Sequence, residues 1–500
     1  MLKQIKRGLS TALVLATMFT TLSLSSAAFA ADPSETKIPN QIGLAMTSEP
    51  TSSISINWTT IDTTLTNPIA LVWQANKKEN SAVKFDAQAV TRTVSSSTIS
   101  GVTQKNFYSV TIDGLKANIK YNYRIGTEGA MSEVHSFETA PANNGKYTFI
   151  YFSDSQCKDA HAKGWQANLD AAEEFCPNAK FLYIAGDLTD TANNEGQWES
   201  FFNEKGNVQH NDKFNGDFIS ELPVAAAMGN HDAAGAGIGG MCSHYTWQSD
   251  VSGVPVCYAF DYGAARMIIL NLENAYSMNS ATLRQAQYNF LADEVAQAKK
   301  AGQWVMVGFH KSLYSGADHM DDADVINNRE YWAPKFADLD VDVVLQGHDH
   351  VLSRGFINKD GYKVDVTRQI NDREFMAKDP DHAPLYYDGN TASSLKFYAP
   401  IMNNSWITPG DPVAPDFGYL DINSALPAGY TNADGELLNP GPCTNDELDG
   451  TPGFFRTPTF TSITVTKGRI EFNTYMTGFD PSTNSIVEDT FLYDSLKVTR

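Results

Sequence analysis

Positive charge is what this chain is short of: 37 lysines and arginines stand against 58 aspartates and glutamates, for a net charge of −21. A nucleic-acid groove or an anionic membrane surface calls for a basic face, so neither is expected as a partner. Cysteine is sparse and scattered. The five, Cys157, Cys176, Cys242, Cys257 and Cys443, form no Cys-x-x-Cys pair, which leaves zinc-knuckle and dithiol redox chemistry without support. In an oxidising compartment Cys242 with Cys257, and then Cys157 with Cys176, are the expected disulfides, with buried free thiols as the alternative. Beyond residue 30 no apolar run is long enough to span a bilayer. There is no internal repeat and no low-complexity tract. A content of 42% hydrophobic and 19% charged residues is that of a folded chain, and 500 residues suggest two or three domains.

The one apolar stretch comes first. Lys3, Lys6 and Arg7 precede an apolar run at 9–24, and Ala28-Phe29-Ala30 puts small residues at the two positions a signal peptidase reads. Residues 1–30 are therefore expected to be a secretory signal, and the mature protein to be secreted or periplasmic. No cysteine sits at the cleavage site, so lipid attachment is not expected.

Residues 31–142 read as all-β. Short stretches at 53–58, 70–74, 108–112, 121–125 and 134–137 alternate apolar with polar residues, and turn pairs such as Asp113-Gly114 separate them. That spacing predicts a β-sandwich. A short linker at 141–145 follows, and the pattern then changes. Apolar strands at 147–153, 181–185, 222–228, 305–309 and 341–346 alternate with helix-like segments such as 167–175 and 283–300, which predicts an α/β core over 145–500. A loop-rich insertion near 409–453 precedes the last strands at 459–465 and 469–474.

Each of the five apolar strands runs into polar residues of metal-ligand type. Their ends carry Asp154 and Gln156, Asp187, Asn230 and His231, His310, then His348 and His350. Ligands of α/β folds bind at the carboxyl ends of strands. Any one such histidine is most often an ordinary core or surface residue; four of the ten at strand ends are not readily explained that way.

Asp154-x-Gln156, Gly186-Asp187-x-x-Asp190, Gly229-Asn230-His231-Asp232, His310 and Gly347-His348-x-His350 stand in the order found in calcineurin-like metallophosphoesterases, and residues 147–478 resemble that family. In front of it, Gly114-Leu115, the run from Tyr121 to Gly126 and Ser132-Glu133-Val134-His135-Ser136-Phe137 resemble the tyrosine corner and following strand of a fibronectin type III-like domain, in the layout of purple acid phosphatases. The resemblance implies a calcineurin-like β-sandwich flanked by helices behind an all-β domain. It implies one metal held by Asp154, Gln156, Asp187 and His350 and a second by Asp187, Asn230, His310 and His348. A bridging carboxylate has two oxygens, enough for two cations about 3.5–4 Å apart. A phosphorylated small molecule would be hydrolysed by a hydroxide between the metals, with His231 as general acid and Asp190 orienting it.

The sequence departs from purple acid phosphatases at two positions. Asp190 stands where the colour-giving tyrosine is expected, and Gln156 where many relatives have histidine. An amide oxygen there shifts the preference toward manganese or a similar oxygen-loving ion; the expected cofactors are two divalent ions, manganese or zinc, with iron as the alternative. His319 and Arg354 are the candidate substrate contacts, with a structural salt bridge as the alternative for Arg354; Asn404 and Trp406 are candidates for the site's surroundings. Asp318, Asp321, Asp322 and Asp324 read as a solvated acidic turn. The expected activity is phosphomonoester hydrolysis. A phosphodiesterase or nucleotide hydrolase on the same residues is the alternative, and a surface binding protein with an inert Gln156 site is the rival of another class.

Overall fold

The computed structural model describes residues 35–393 and 458–500, apart from 143–144, 215–216, 234–237, 365, 372–373, 379–382, 478, 481–484 and 487–489. Residues 1–30, read above as a secretory signal, the loop-rich stretch expected near 409–453, Asn404, Trp406 and Cys443 lie outside the described residues.

In the N-terminal domain, Asn40–Ala45, Ile54–Thr60, Gln104–Ile112 and Gln88–Thr93 form one sheet. Val83–Asp86, Ile69–Gln74 and Lys120–Thr127 form the facing one, with Ala130–Met131 and His135–Glu138 at its edge. Ile54, Ile56, Trp58, Val72, Tyr123 and Phe137 point inward and fill the space between them. The Tyr121 hydroxyl accepts the Lys116 amide at 2.9 Å, which closes the corner before the next strand. The polar residues between those inward positions are expected to meet water. Ser55, Asn57 and Thr59 are instead buried, because the second domain covers that face: Thr246 donates to Asn57.

Ala45 pairs in parallel with Val224, so this sheet continues into the next domain and a single twelve-stranded sheet crosses both. Its half in the second domain contains three parallel strands, Tyr147–Phe152, Leu182–Ile184 and Val224–Ala226. The antiparallel strands Thr459–Thr466, Arg469–Met476 and Phe491–Thr499 extend it. A six-stranded sheet faces it, with Ala265–Ile269, Trp304–Lys311, Val343–Gly347 and Leu385–Asp388 parallel. Alternate residues divide the labour: Ile269 and Met306 face the first sheet, while Ile268, Val305 and Val307 face helices Ala281–Ala301 and Ala323–Asp338. The first of these helices is capped by Ser280, whose hydroxyl accepts the Leu283 amide, and ends at Gly302 with φ 68°.

The expected disulfides are not formed: Cys157, Cys176, Cys242 and Cys257 are separate thiols. Cys242 packs against the core between the sheets. Cys257 belongs to the core under the helices, with its Sγ 3.7 Å from Gln287 Oε1. The residues read as an acidic turn split between a short 3-10 segment, Asp318–Asp321, and the start of helix Ala323–Asp338. Among the described residues no helix is long and apolar enough to cross a membrane.

Candidate metal centre

Parallel strands deliver their carboxyl ends to one edge, and the ligand-type residues follow within a few positions. The backbone turns sharply there. Asp154, Gln156, Asp187, His348 and His350 have φ of 30°, 34°, 50°, 77° and 45°. Left-handed backbone at non-glycine residues costs about 1–3 kcal/mol each and concentrates at functional sites. Two glycines make the close approach possible. A Cβ on Gly229 would lie 2.6 Å from the Asp187 nitrogen, and one on Gly347 2.8 Å from Asp154 Oδ2.

The centre is built around Asp187 and His310. His310 Nδ1 lies 2.8 Å from the Ala185 carbonyl, which can only accept, so that nitrogen carries the hydrogen and Nε2 keeps its lone pair. Nε2 faces Asn230 Oδ1 at 3.0 Å and Asp187 Oδ2 at 3.2 Å. Two oxygens thus gather around the His310 Nε2 lone pair, an arrangement that a cation satisfies. With a proton in that role, burial opposes charge on His310, but Asp187, Asp154 and Glu273 outweigh it and push its pKa up to about 10. Burial likewise works against ionising Asp187, yet His310 and His231 hold it well below the usual carboxylate range. His348 completes this group: its ligand nitrogen, His310's and an Asp187 oxygen lie within 4.8 Å of one another. Burial and the neighbouring His310 keep His348 neutral, the form that binds metals.

Asp154 sits alongside. Its Oδ2 accepts the His348 amide at 2.9 Å. Its Oδ1 is 3.4 Å from His350 Nε2 and has no hydrogen-bond partner. Gln156 donates its backbone N–H to the Asp187 carbonyl, while its buried Oε1 also lacks a partner. Buried, unpartnered oxygens are costly unless something occupies them, and two on expected ligands fit a hard cation.

His231 lies beside this group. Its Nδ1–H donates to the Asp190 carbonyl at 2.7 Å, and its Nε2 is 4.0 Å from Asp187 Oδ2. Asp190 was expected to orient it by its carboxylate. The orienting oxygen is the backbone carbonyl; the carboxylate is 3.8 Å from Nδ1 and pairs instead with Lys158 at 3.0 Å. His319 stacks on His348, with ring centroids 4.1 Å apart and planes 22° from parallel, and is held by Asp322 at 2.7 Å. Arg354 is engaged within the fold. Its guanidinium binds buried Asp494 at 3.0 and 3.1 Å and lies over Phe375, so the structural salt bridge is the arrangement found.

Three residues escaped the sequence reading. Asp232 accepts the backbone N–H groups of Asp187, Leu188 and Gly229 at 2.7, 3.2 and 3.0 Å, tying the Asp187 loop to the Asn230 loop. Asp349 accepts the His319 amide at 3.0 Å and the Ser315 hydroxyl. Lys158 neutralises Asp190. Asp232 and Asp349 lie inside the motifs, and their acidic character was the available clue.

Comparison with known proteins agrees with this geometry. Residues 39–139 match the purple acid phosphatase N-terminal domain, and residues 147–352 match the calcineurin-like phosphoesterase domain. Two uncharacterized proteins of Mycobacterium tuberculosis, from strains CDC 1551 / Oshkosh and ATCC 25618 / H37Rv, are each 29% identical over 147 residues, 26% of this chain. The match spans 28% of the length of those curated relatives. The solved structure of PhoD is similar at a TM-score of 0.54 and 12% identity, covering 93% of this chain and 91% of that one, a likeness of fold. The chain thus carries a calcineurin-like phosphoesterase domain at 147–352 behind a purple acid phosphatase N-terminal domain at 39–139, the two-domain layout of purple acid phosphatases.

Proposed function

We propose that this protein is an exported, binuclear metal-dependent phosphomonoesterase. The observation that carries the reading is the gathering of Asn230 Oδ1 and Asp187 Oδ2 around His310 Nε2, with the unpartnered oxygens of Asp154 and Gln156 nearby. Asn230, His310, His348 and Asp187 would hold one ion; Asp154, Gln156, His350 and Asp187 would hold the other. Divalent ions there supply two things: water acidified to near neutral pKa and positive charge for the phosphoryl oxygens.

The chain's own residues do the rest. His231 would be the proton donor: its Nδ1–H stays fixed on the Asp190 carbonyl, and a proton carried on Nε2 is the one given to the leaving alkoxide. Asp187 holds the His231 backbone through its Oδ1 at 2.9 Å, so bridge and acid keep a fixed relation. His319, stacked on His348, stands at the rim as a contact for the phosphate. Export rests on the basic start and on Ala28-Phe29-Ala30.

The test is a panel of phosphate monoesters and diesters assayed with the chelator-stripped and the metal-restored protein. Monoester turnover restored by manganese or zinc supports the reading. Diester turnover alone would make the enzyme a phosphodiesterase. No turnover of either class, with metal bound, would favour a binding protein.

A further inference from the structure

The N-terminal domain sends one charged side chain into the catalytic domain. Lys105, on the strand Gln104–Ile112, is completely buried. Its Nζ lies 2.8 Å from Glu195, 3.2 Å from Glu199 and 2.8 Å from Glu204. All three carboxylates belong to helix Glu195–Phe201 or the turn after it. Burial would discharge an isolated lysine; three carboxylates at contact distance outweigh that and keep it an ammonium. A buried carboxylate trio with no cation would repel itself strongly, so the helix depends on a charge supplied by the other domain.

That helix begins five residues after Asp190, whose carbonyl aims His231. The intervening segment is tied to the same domain. Ser95 donates to the Asn193 carbonyl at 2.5 Å and accepts the Glu195 amide at 2.9 Å. Gln197 turns back to accept the Thr191 amide at 2.7 Å. The element that follows His231 is anchored on the same cluster. His244, at the end of helix Ile238–His244, stands 3.5 Å from Glu195 and stacks on Trp198 at 4.2 Å. A Cβ on Gly240 of that helix would overlap the Ala192 carbonyl oxygen, so only glycine lets the helix pack this closely on the segment. The support of His231 from Asp190 and the helix after His231 therefore both rest on the carboxylates that Lys105 holds.

We infer that Lys105 is a positioning residue for His231, and that the N-terminal domain is part of the catalytic machinery through this ammonium rather than a separate binding module. The inference rests on the reading of His231 as general acid. No ligand to the metals is touched by Lys105, so its effect should fall on proton donation and spare metal content.

The experiment uses full-length, metal-loaded Lys105→Met, with an alkyl phosphate as the poor leaving group and 4-nitrophenyl phosphate as the good one. A misaimed acid should forfeit part of its usual about 10²–10⁴-fold contribution, so kcat on the alkyl ester should fall about tenfold or more. The change on 4-nitrophenyl phosphate should be several times smaller, with metal stoichiometry unchanged. In a His231→Ala background, Lys105→Met should add no further loss on the alkyl ester. Equal losses on both substrates, or an independent loss in that background, would overturn the inference. Should Lys105→Met fail to fold, Lys105→Arg keeps the charge and displaces the three carboxylates. The same substrate-selective loss is expected there, and a wild-type ratio in a folded Arg variant overturns the proposal. A His231→Ala enzyme that slows both substrates alike overturns the general-acid reading and this inference with it. Selective His231→Ala with unselective Lys105→Met overturns this one alone.

Discussion

Replacing His231 by alanine separates chemistry from metal binding. The contact between residue 231 and the Asp187 carboxylate is made by the backbone N–H, at 2.9 Å from Asp187 Oδ1, and alanine retains it. Asn230, His310 and Asp187 keep their mutual geometry, so both ions should remain. What disappears is an imidazole whose Nδ1 is fixed at 2.7 Å from the Asp190 carbonyl and whose Nε2 reaches to 4.0 Å from Asp187 Oδ2. A positioned general acid contributes about 10²–10⁴-fold, which is about 2.7–5.4 kcal/mol at the transition state. That loss should appear in full on an alkyl phosphate, whose leaving group must be protonated. It should be much smaller on 4-nitrophenyl phosphate, whose phenolate leaves unaided. The assay is kcat and KM on both esters, with metal content measured on the same samples. Loss of metal, or equal slowing of both esters, would refute the argument and make His231 a structural or phosphate-binding group.

Asp187→Asn should behave in the opposite way: with the bridge weakened, metal content and activity on every ester should fall together, read by metal analysis and kcat/KM. Arg354→Ala strips Asp494 of its buried partner, so it should cost about 3–5 kcal/mol of stability by denaturant titration. Its kcat/KM per folded molecule should stay near wild type, and a selective rise in KM would restore a substrate role. Metal affinity should rise with pH. Asp154 and Asp187 are held below the usual carboxylate range, so the proton displaced on binding comes from His310, at about 10. Apparent affinity should therefore climb by about tenfold per pH unit below that value, and an affinity unchanged between about pH 6 and 8 would contradict it.

The clustering of these residues was largely legible because each ligand-type residue ends an apolar strand, and parallel strands must bring their ends to one edge. Asp154, Asp187, Asn230, His310, His348 and His350 could be named from that alone, together with the order of their motifs. The helix carrying Val325 and Trp332 was missed because its acidic start reads as a turn, while Asp324 is in fact engaged by Lys311. Periodicity shows which face of a strand is polar, not what covers it. Ser55, Asn57 and Thr59 look solvent-facing until the catalytic domain buries them. Lys105 was invisible for the same reason: its three partners lie about 90–100 positions further along the chain. Likewise the thiol pairing inferred from sequence proximity failed for Cys242 and Cys257, which pack into different cores.

Metal stoichiometry measured against activity tests the central claim most directly. The full-length protein is stripped by chelation, then titrated with manganese while bound metal per chain and hydrolysis of a phosphate monoester are followed together. The account predicts no turnover when stripped, and recovery that reaches its plateau as two ions bind each chain. Full turnover by the stripped protein, or two ions bound with no hydrolysis of any phosphate ester, would contradict it.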